Sequence, residues 1–384
     1  MAYVAVTGGQ EAIAASIALL REYRCHGDNP LDPVAMVNRM GLLIDKIMGE
    51  AGLYCPDHAA LALLQSEGSV EEAVFLLRAY RSSLTRAYYS IPLDGAQMRL
   101  LRRISAAYKD VPGGQMLGAT YDYTHRLLDF SLLSEHEDTK IDTASSEDEE
   151  CNPFHALRVS DLLRAENIIV QSPTHAKSSE TVPEDITQNP LRFPTPRSAR
   201  LQVMARAESG FLGGLAYANL RGFGQAHPTV GELRTGWLEV NIDHPLLDGQ
   251  TLHVGEIQVT EVESFFSLEE ESQLEELRDD PLKRMERGQG DKADTSTNAL
   301  QIGVGYGLTF GRSDQKAISM SIMDFSLEKK SEGILSDDEF VLLHGDCLEM
   351  SGFISHLKLP HYVTFQSKLD RVRSTRKDTE ACHA

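Results

Sequence analysis

Tryptophan occurs once in the 384 residues and cysteine five times. Cys25, Cys55, Cys151, Cys347 and Cys382 are dispersed with no C-x-x-C spacing. An odd, scattered set supplies no disulfide framework and fits a reducing compartment. Long apolar runs are missing too. A typical one, Ala59 to Leu64, falls far short of the ~20 residues that span a bilayer. The opening residues, Met1 to Val6, are too short and uncharged for a signal peptide. A cytoplasmic protein is expected. Positive charge is scarce, with 37 Lys and Arg against 57 Asp and Glu and a net charge of −20. That argues against binding nucleic acid as a polymer, which takes a basic face to displace counterions. It argues equally against docking on anionic lipid. It leaves a nucleotide substrate open, because a local basic pocket can oppose the global field. No GxxxxGK[ST] occurs, so a P-loop is excluded. Gly222-Phe223-Gly224 and the Gly303 to Gly307 stretch match no dinucleotide fingerprint. In the latter, glycine in a strand points to close backbone packing.

What is present fits a globular protein, with 41% hydrophobic and 24% charged residues. The length predicts about two domains, each able to bury a core. A short strand, Tyr3 to Val6, precedes Gly8-Gly9 and a helix with Ala12, Ile13, Ile17 and Leu20 at helical spacing. Gly8-Gly9 ahead of a helix is also a weak signal for a phosphate at the helix N-terminus. Asp32-Pro33 reads as an N-cap with Pro at the first helical position. Ser69 and Glu72 form a capping-box pattern. The second half changes style. Residues 236–242, 252–262 and 304–310 alternate like strands. Ser313, and then Ser336 with Glu339, are placed to cap later helices. Trp237 is expected in the core. The fold class is α+β. A mainly helical domain spans 1–134, and an acidic loop and Pro/Ser/Thr-rich strap span 135–196. A mixed α/β domain with antiparallel strands spans 197–370 and a tail follows at 371–384.

Two constellations carry chemistry. Between residues 97 and 133, five bases (Arg99, Arg102, Arg103, Lys109, Arg126) face three acids (Asp110, Asp122, Asp129). This is a locally positive stretch in an acidic protein. Arg forks and Lys suit phosphate or phosphonate oxygens, and Gly113-Gly114 lets backbone amides approach an anion. Tyr121-Asp122-Tyr123-Thr124-His125 places a carboxylate, an imidazole and two aromatic rings together. Asp122 and His125 are candidates for stabilising a cationic sugar centre or moving a proton. The alternative is a structural ion-pair network on a turn. The second constellation is His356 and His361. Their spacing suits neither one helix face nor one strand face. Pro360 forces an extended residue before it, and across that bend both imidazoles can reach one metal. Zinc is usually four-coordinate, so two histidines leave the site incomplete. Water, substrate or another chain would complete it, unless these are two unrelated loop histidines.

Taken together, these stretches resemble PhnI, a subunit family of the bacterial carbon–phosphorus lyase core complex. The resemblance rests on Arg102 to Leu133, Arg221 to Gly224 with His227-Pro228, Tyr306 to Gly311, and Gly352 to Tyr362. It covers nearly the whole chain. It implies an enzyme that, with partner subunits, displaces adenine from MgATP with an alkylphosphonate. The product is ribose 1-alkylphosphonate 5-triphosphate. Alone, such a subunit resembles a nucleosidase acting on ATP or GTP. The resemblance also implies Zn²⁺ held by His356 and His361 and completed by a cysteine of a radical S-adenosylmethionine partner. Self-association within the complex is expected as well. It assigns no roles to the residues of the basic stretch. There, chemical type alone points to Arg102, Arg103, Lys109 and Arg126, with Gly113 and Gly114, for phosphates. Asp122 or His125 is then left for charge or proton work. A scaffold subunit and a free-standing nucleoside hydrolase remain the alternatives.

The stretches around 135–150 and 267–296 depart from the family pattern. Residues 135–150 hold eight acids and one base, and residues 261–294 twelve acids and five bases. Most of the net charge therefore sits in or beside segments foreign to the pattern. The acidity reads as surface character and not as chemistry.

Overall fold

A computed structural model describes residues 9–25, 31–133, 157–169, 183–223, 228–267, 302–330, 333–359 and 361–382. The expected strand at 3–6, the acidic loop at 135–150, part of the strap, most of the acidic stretch 261–294, Gly224, His227 and Pro360 lie outside these residues. The chain runs as helices α1 (Gly9–Cys25), α2 (Pro33–Arg39), α3 (Gly41–Ala51), α4 (Pro56–Gln65) and α5 (Val70–Ser83). Strand β1 (Arg99–Ile104), α6 (Val159–Ala165), α7 (Arg197–Arg206) and α8 (Ser209–Ala218) follow. Then come β2 (Pro228–Asp243), β3 (Thr251–Ser267) and β4 (Ile302–Phe310). The last helices are α9 (Asp314–Lys329), α10 (Asp338–His344), α11 (Cys347–Ser355) and α12 (Tyr362–Cys382). The fold is α+β, as the patterning implies.

The helices start where their caps dictate. Asp32 accepts from Val34 N at 3.1 Å, with Pro33 opening α2. Ser69 accepts from Glu72 N at 3.4 Å. Two expected caps differ. Asp337, not Ser336, caps α10 by accepting from Phe340 N at 2.7 Å. Its carboxylate is a stronger acceptor than a hydroxyl, and Ser336 instead meets Ser326 Oγ at 3.0 Å. Ser313 occupies the cap position of α9, but its side chain makes no cap bond. Apolar faces of α2 to α5 enclose one core around Ile44, Ile47, Met48, Leu63 and Leu77, and Cys347 of α11 plugs into it.

The four strands form one antiparallel sheet in the order β1-β2-β3-β4. β1 belongs to the helical half of the sequence, so the boundary expected at 134 falls between two paired strands. Helix α9 lies directly on β4. A Cβ at Gly305 would collide with the Ser321 carbonyl, and one at Gly307 with the Ala317 carbonyl. The glycines of β4 thus permit the backbone approach that their pattern suggested. The opposite sheet face is charged. Glu232, Arg234, Glu261 and Glu263 are all buried there, and α6 covers them with Ser160 and Arg164. Trp237 is only half-buried, and the Arg99 guanidinium sits 5.9 Å from its ring centroid. The expected core position is therefore corrected. Its cross-strand neighbour Arg99, at the start of β1, lies over the ring as a cation.

Candidate functional site

β1 sends its two arginines to different destinations. Arg103 is 1% exposed. Its Nε donates to Glu232 at 2.5 Å, Nη1 to Pro112 O at 2.6 Å and Nη2 to Leu157 O at 2.8 Å. A buried guanidinium must be paired and hydrogen-bonded, and this one is satisfied by protein alone. In this arrangement Arg103 anchors the turn that contains Gly113 and Gly114 and offers no free fork to a phosphate. Gly114 N donates to Val111 O at 2.8 Å, which commits that amide to the turn. Both glycines are exposed. The returning chain is held by two bonds of 2.8 Å between Arg103 and Met116 backbones.

Arg102 serves the other cluster. Its Nη1 donates to Leu117 O at 2.6 Å and its Nη2 to Asp122 Oδ2 at 3.0 Å. Arg126 Nη2 donates to the other oxygen, Asp122 Oδ1, at 3.1 Å. Thr120 caps the short turn that presents Asp122, accepting from Asp122 N at 3.3 Å. Asp122 is therefore clamped between two guanidiniums while its side chain stays half exposed. Asp314, the first residue of α9, brings Oδ2 within 3.3 Å of Arg102 Nε. Burial pushes the Asp314 carboxyl above its ordinary value, against the pull of Arg102 and with help from Asp122. Sequence reasoning missed Asp314. An acid opening a helix is an ordinary capping preference, and nothing local reports its partner on β1.

The structure thus brings Arg102, Asp122 and Arg126 together and adds Asp314. Lys109 and His125 are exposed on the same loop and bond none of these. The loop also presents uncovered apolar side chains, with Leu127 82%, Leu128 83% and Phe130 71% exposed. Patches of this kind mark interaction surfaces.

The histidine pair sits between α11 and α12. Leu359 is extended at φ −68°, ψ 151°, as a residue before proline should be. The bend brings the His356 and His361 ring centroids to 5.7 Å at an interplanar angle of 68°. Nδ1 of His356 lies against the Phe353 carbonyl, and Nδ1 of His361 is 2.6 Å from the Leu359 carbonyl. A carbonyl only accepts, so in the neutral ring the proton sits on Nδ1 and Nε2 is the atom left to ligate. His361 is exposed and His356 is half-buried. Rings held at Nδ1 by backbone carbonyls suit two metal ligands. Among the described residues no third His, Cys, Asp or Glu joins them. Nor, among those residues, is any helix long and apolar enough to cross a membrane.

Comparison with known proteins extends the resemblance. The family model described as "Bacterial phosphonate metabolism protein (PhnI)" matches residues 2–379. A protein of Rhizobium meliloti named alpha-D-ribose 1-methylphosphonate 5-triphosphate synthase subunit PhnI is 42% identical, covering 100% of this chain and 97% of its own. Its Escherichia coli namesake is 40% identical, covering 98% and 99%. A Stutzerimonas stutzeri protein named putative C-P lyase subunit protein HtxH is also 40% identical, covering 99% and 98%.

Proposed function

The chain belongs to the PhnI family of bacterial phosphonate metabolism proteins, and from that premise we propose that it is the subunit that builds ribose 1-alkylphosphonate 5-triphosphate. A phosphonate oxygen attacks the anomeric carbon of MgATP. The C1′–N9 bond breaks, the new C1′–O–P bond forms, and adenine departs after taking a proton. Without partner subunits the same site releases purine from ATP or GTP.

The observation that carries this reading is the clamp of Arg102 and Arg126 on Asp122, within a chain that matches the family over nearly its full length. Breaking the glycosidic bond builds positive charge at the anomeric carbon, and a fixed carboxylate stabilises it. Two hydrogen bonds hold Asp122 in place before substrate arrives, so little reorganisation accompanies the reaction. His125, exposed beside it, moves the proton to the leaving base. Lys109 and Arg126 meet the anionic groups, with Mg²⁺ arriving on the nucleotide. Arg102 and Arg103 act through the loop they hold.

His356 and His361 fit Zn²⁺ through their free Nε2 atoms. Bound there, the ion would cross-link this loop to a partner subunit of the carbon–phosphorus lyase complex, the radical S-adenosylmethionine subunit, which would supply the missing ligand. The exposed apolar loop at 127–130 supports an assembled state in the same way.

Mass spectrometry of products from ATP plus methylphosphonate, with the partner subunits co-expressed, tests the reading. A phosphonate ester of ribose triphosphate is expected. Ribose triphosphate alone would indicate hydrolysis, and no adenine release would indicate a scaffold.

A further inference from the structure

Most buried arginines of this protein have carboxylate partners. Arg103 meets Glu232, Arg234 and Arg158 meet Glu261, Arg197 meets Asp324, and Arg200 meets Glu328. One cluster breaks the pattern. At the C-terminal end of α3, three guanidiniums crowd together. Arg78 donates through Nε and Nη2 to Glu50 O, at 3.1 and 2.7 Å, and pairs with Asp346. Arg81 donates to Ala51 O at 2.7 Å and Gly52 O at 3.3 Å, but among the described residues no carboxylate pairs with it. Among the described residues, Arg206, the last residue of α7, has neither an ion-pair partner nor a side-chain hydrogen bond, and its Nε is buried without one. Gly52, at φ 65°, makes the crowding possible. A Cβ there would stand 2.7 Å from Arg81 Nη1 and 3.3 Å from Arg206 Nε.

This arrangement is costly as it stands. A guanidinium does not escape by losing its proton, and an unpaired charge withdrawn from water is strongly disfavoured. Burial is the main influence pulling Arg206 down to about 10, and the Arg81 and Arg78 charges pull the same way. Asp346 pairs with Arg78, and Asp185, the partner of Arg86, adds a negative charge nearby, but neither carboxylate forms an ion pair with Arg81 or Arg206. Arg81 and Arg206 are only half-buried, which leaves the cluster open to solvent on one side. We infer that Arg78, Arg81 and Arg206 form a binding site for a tetrahedral phosphorus oxyanion carrying about two negative charges. Planar forks converging from α5 and α7 match such oxygens. The class covers the terminal phosphoryl group of a nucleotide's phosphate chain and the phosphonate itself. The choice of anion rests on the functional reading above. α9 connects the two places, since Lys316 donates to Ala205 O at 2.7 Å, next to Arg206, and Asp314 lies one half-turn earlier.

Calorimetric titration of the full chain with inorganic tripolyphosphate, and separately with methylphosphonate, tests the site without turnover. The wild type is expected to bind at least one, and Arg206→Gln to bind it at least tenfold more weakly. Tripolyphosphate as the tighter ligand assigns the phosphate chain, and methylphosphonate the phosphonate. Without anion, Arg206→Gln is expected to melt at the same or a higher temperature, because it removes an unpaired charge. Arg206→Lys, which keeps the charge but loses the fork, is expected to bind with intermediate affinity. Undiminished binding by Arg206→Gln, no binding of either anion by the wild type, or a melting point lowered by several degrees would each overturn the inference. Loss of anion binding in a protein whose wild type forms no phosphonate ester would keep this site and refute the functional reading. Ester formation undisturbed by Arg206→Gln would do the reverse.

Discussion

Asp122 accepts a 3.0 Å hydrogen bond from Arg102, a side chain that the first strand of the sheet holds almost fully buried. The exposed loop from Met116 to Leu132 is thereby fastened to the rigid part of the molecule at the residue best suited to face a cationic sugar. A carboxylate on a mobile loop would lose that alignment, and small displacements of reacting groups cost large rate factors.

Asp122→Asn keeps the size of the side chain and removes its charge. Base release from ATP is expected to fall by about 10²-fold or more, the usual range for a charge or proton role in the transition state. The half-exposed ion pairs at this residue contribute under ~1 kcal/mol, so unfolding should barely change. His125→Ala is expected to slow base release without altering the melting temperature. Full base-release rates in both variants would remove the catalytic assignment.

Zinc content gives a second check. His356→Ala in the co-expressed complex is expected to lower bound zinc, read by elemental analysis. Unchanged zinc per complex would contradict the ligand assignment.

Stability against pH tests the buried polar seam beneath α9. Burial is the main cause that pulls the Lys316 ammonium from 10.5 to about 8, with Glu50 opposing it. A base depressed in the folded state adds stability that is fully present above 10.5 and is lost as pH falls to 8. The stability of the wild type minus that of Lys316→Met is therefore expected to rise by roughly 3 kcal/mol across that window. Below pH 8 the difference should be flat. Urea unfolding at fixed pH values measures it, and a difference independent of pH would contradict the burial of a charged lysine.

Gly305→Ala tests the contact between β4 and α9. The added methyl meets the Ser321 carbonyl, and neither backbone can move far without breaking the sheet or the helix. A loss of about 3 kcal/mol is expected, at the upper end for overpacking. A change below 1 kcal/mol in urea unfolding would show that the two backbones are not in contact.

Local chemistry in the sequence exposed much of this structure. Asp32-Pro33 and Ser69 mark helix starts because their caps involve neighbours two or three residues away. The alternating stretches became β2, β3 and β4, and the glycines of β4 announced a close approach. Long-range pairings stayed hidden. Arg102 and Arg103 are adjacent and chemically identical, yet one holds the Asp122 loop and the other vanishes into a pair with Glu232. Only strand alternation and the register of β1 against β2 separate them. The Arg102–Asp314 contact and the unpaired Arg206 were likewise invisible, since both depend on how α7 and α9 pack. The closeness of His356 and His361 was legible because a residue that precedes proline in sequence is held extended, and Leu359 is.

Oxygen tracing provides the most direct test. The co-expressed complex is given ATP and methylphosphonate in ¹⁸O-water, and the oxygen on C1′ of the ribose product is read by mass spectrometry. Attack by a phosphonate oxygen predicts a phosphonate ester with no solvent label at C1′. Ribose triphosphate formed in place of the ester would show that water attacks, and transfer to phosphonate at this site would be contradicted.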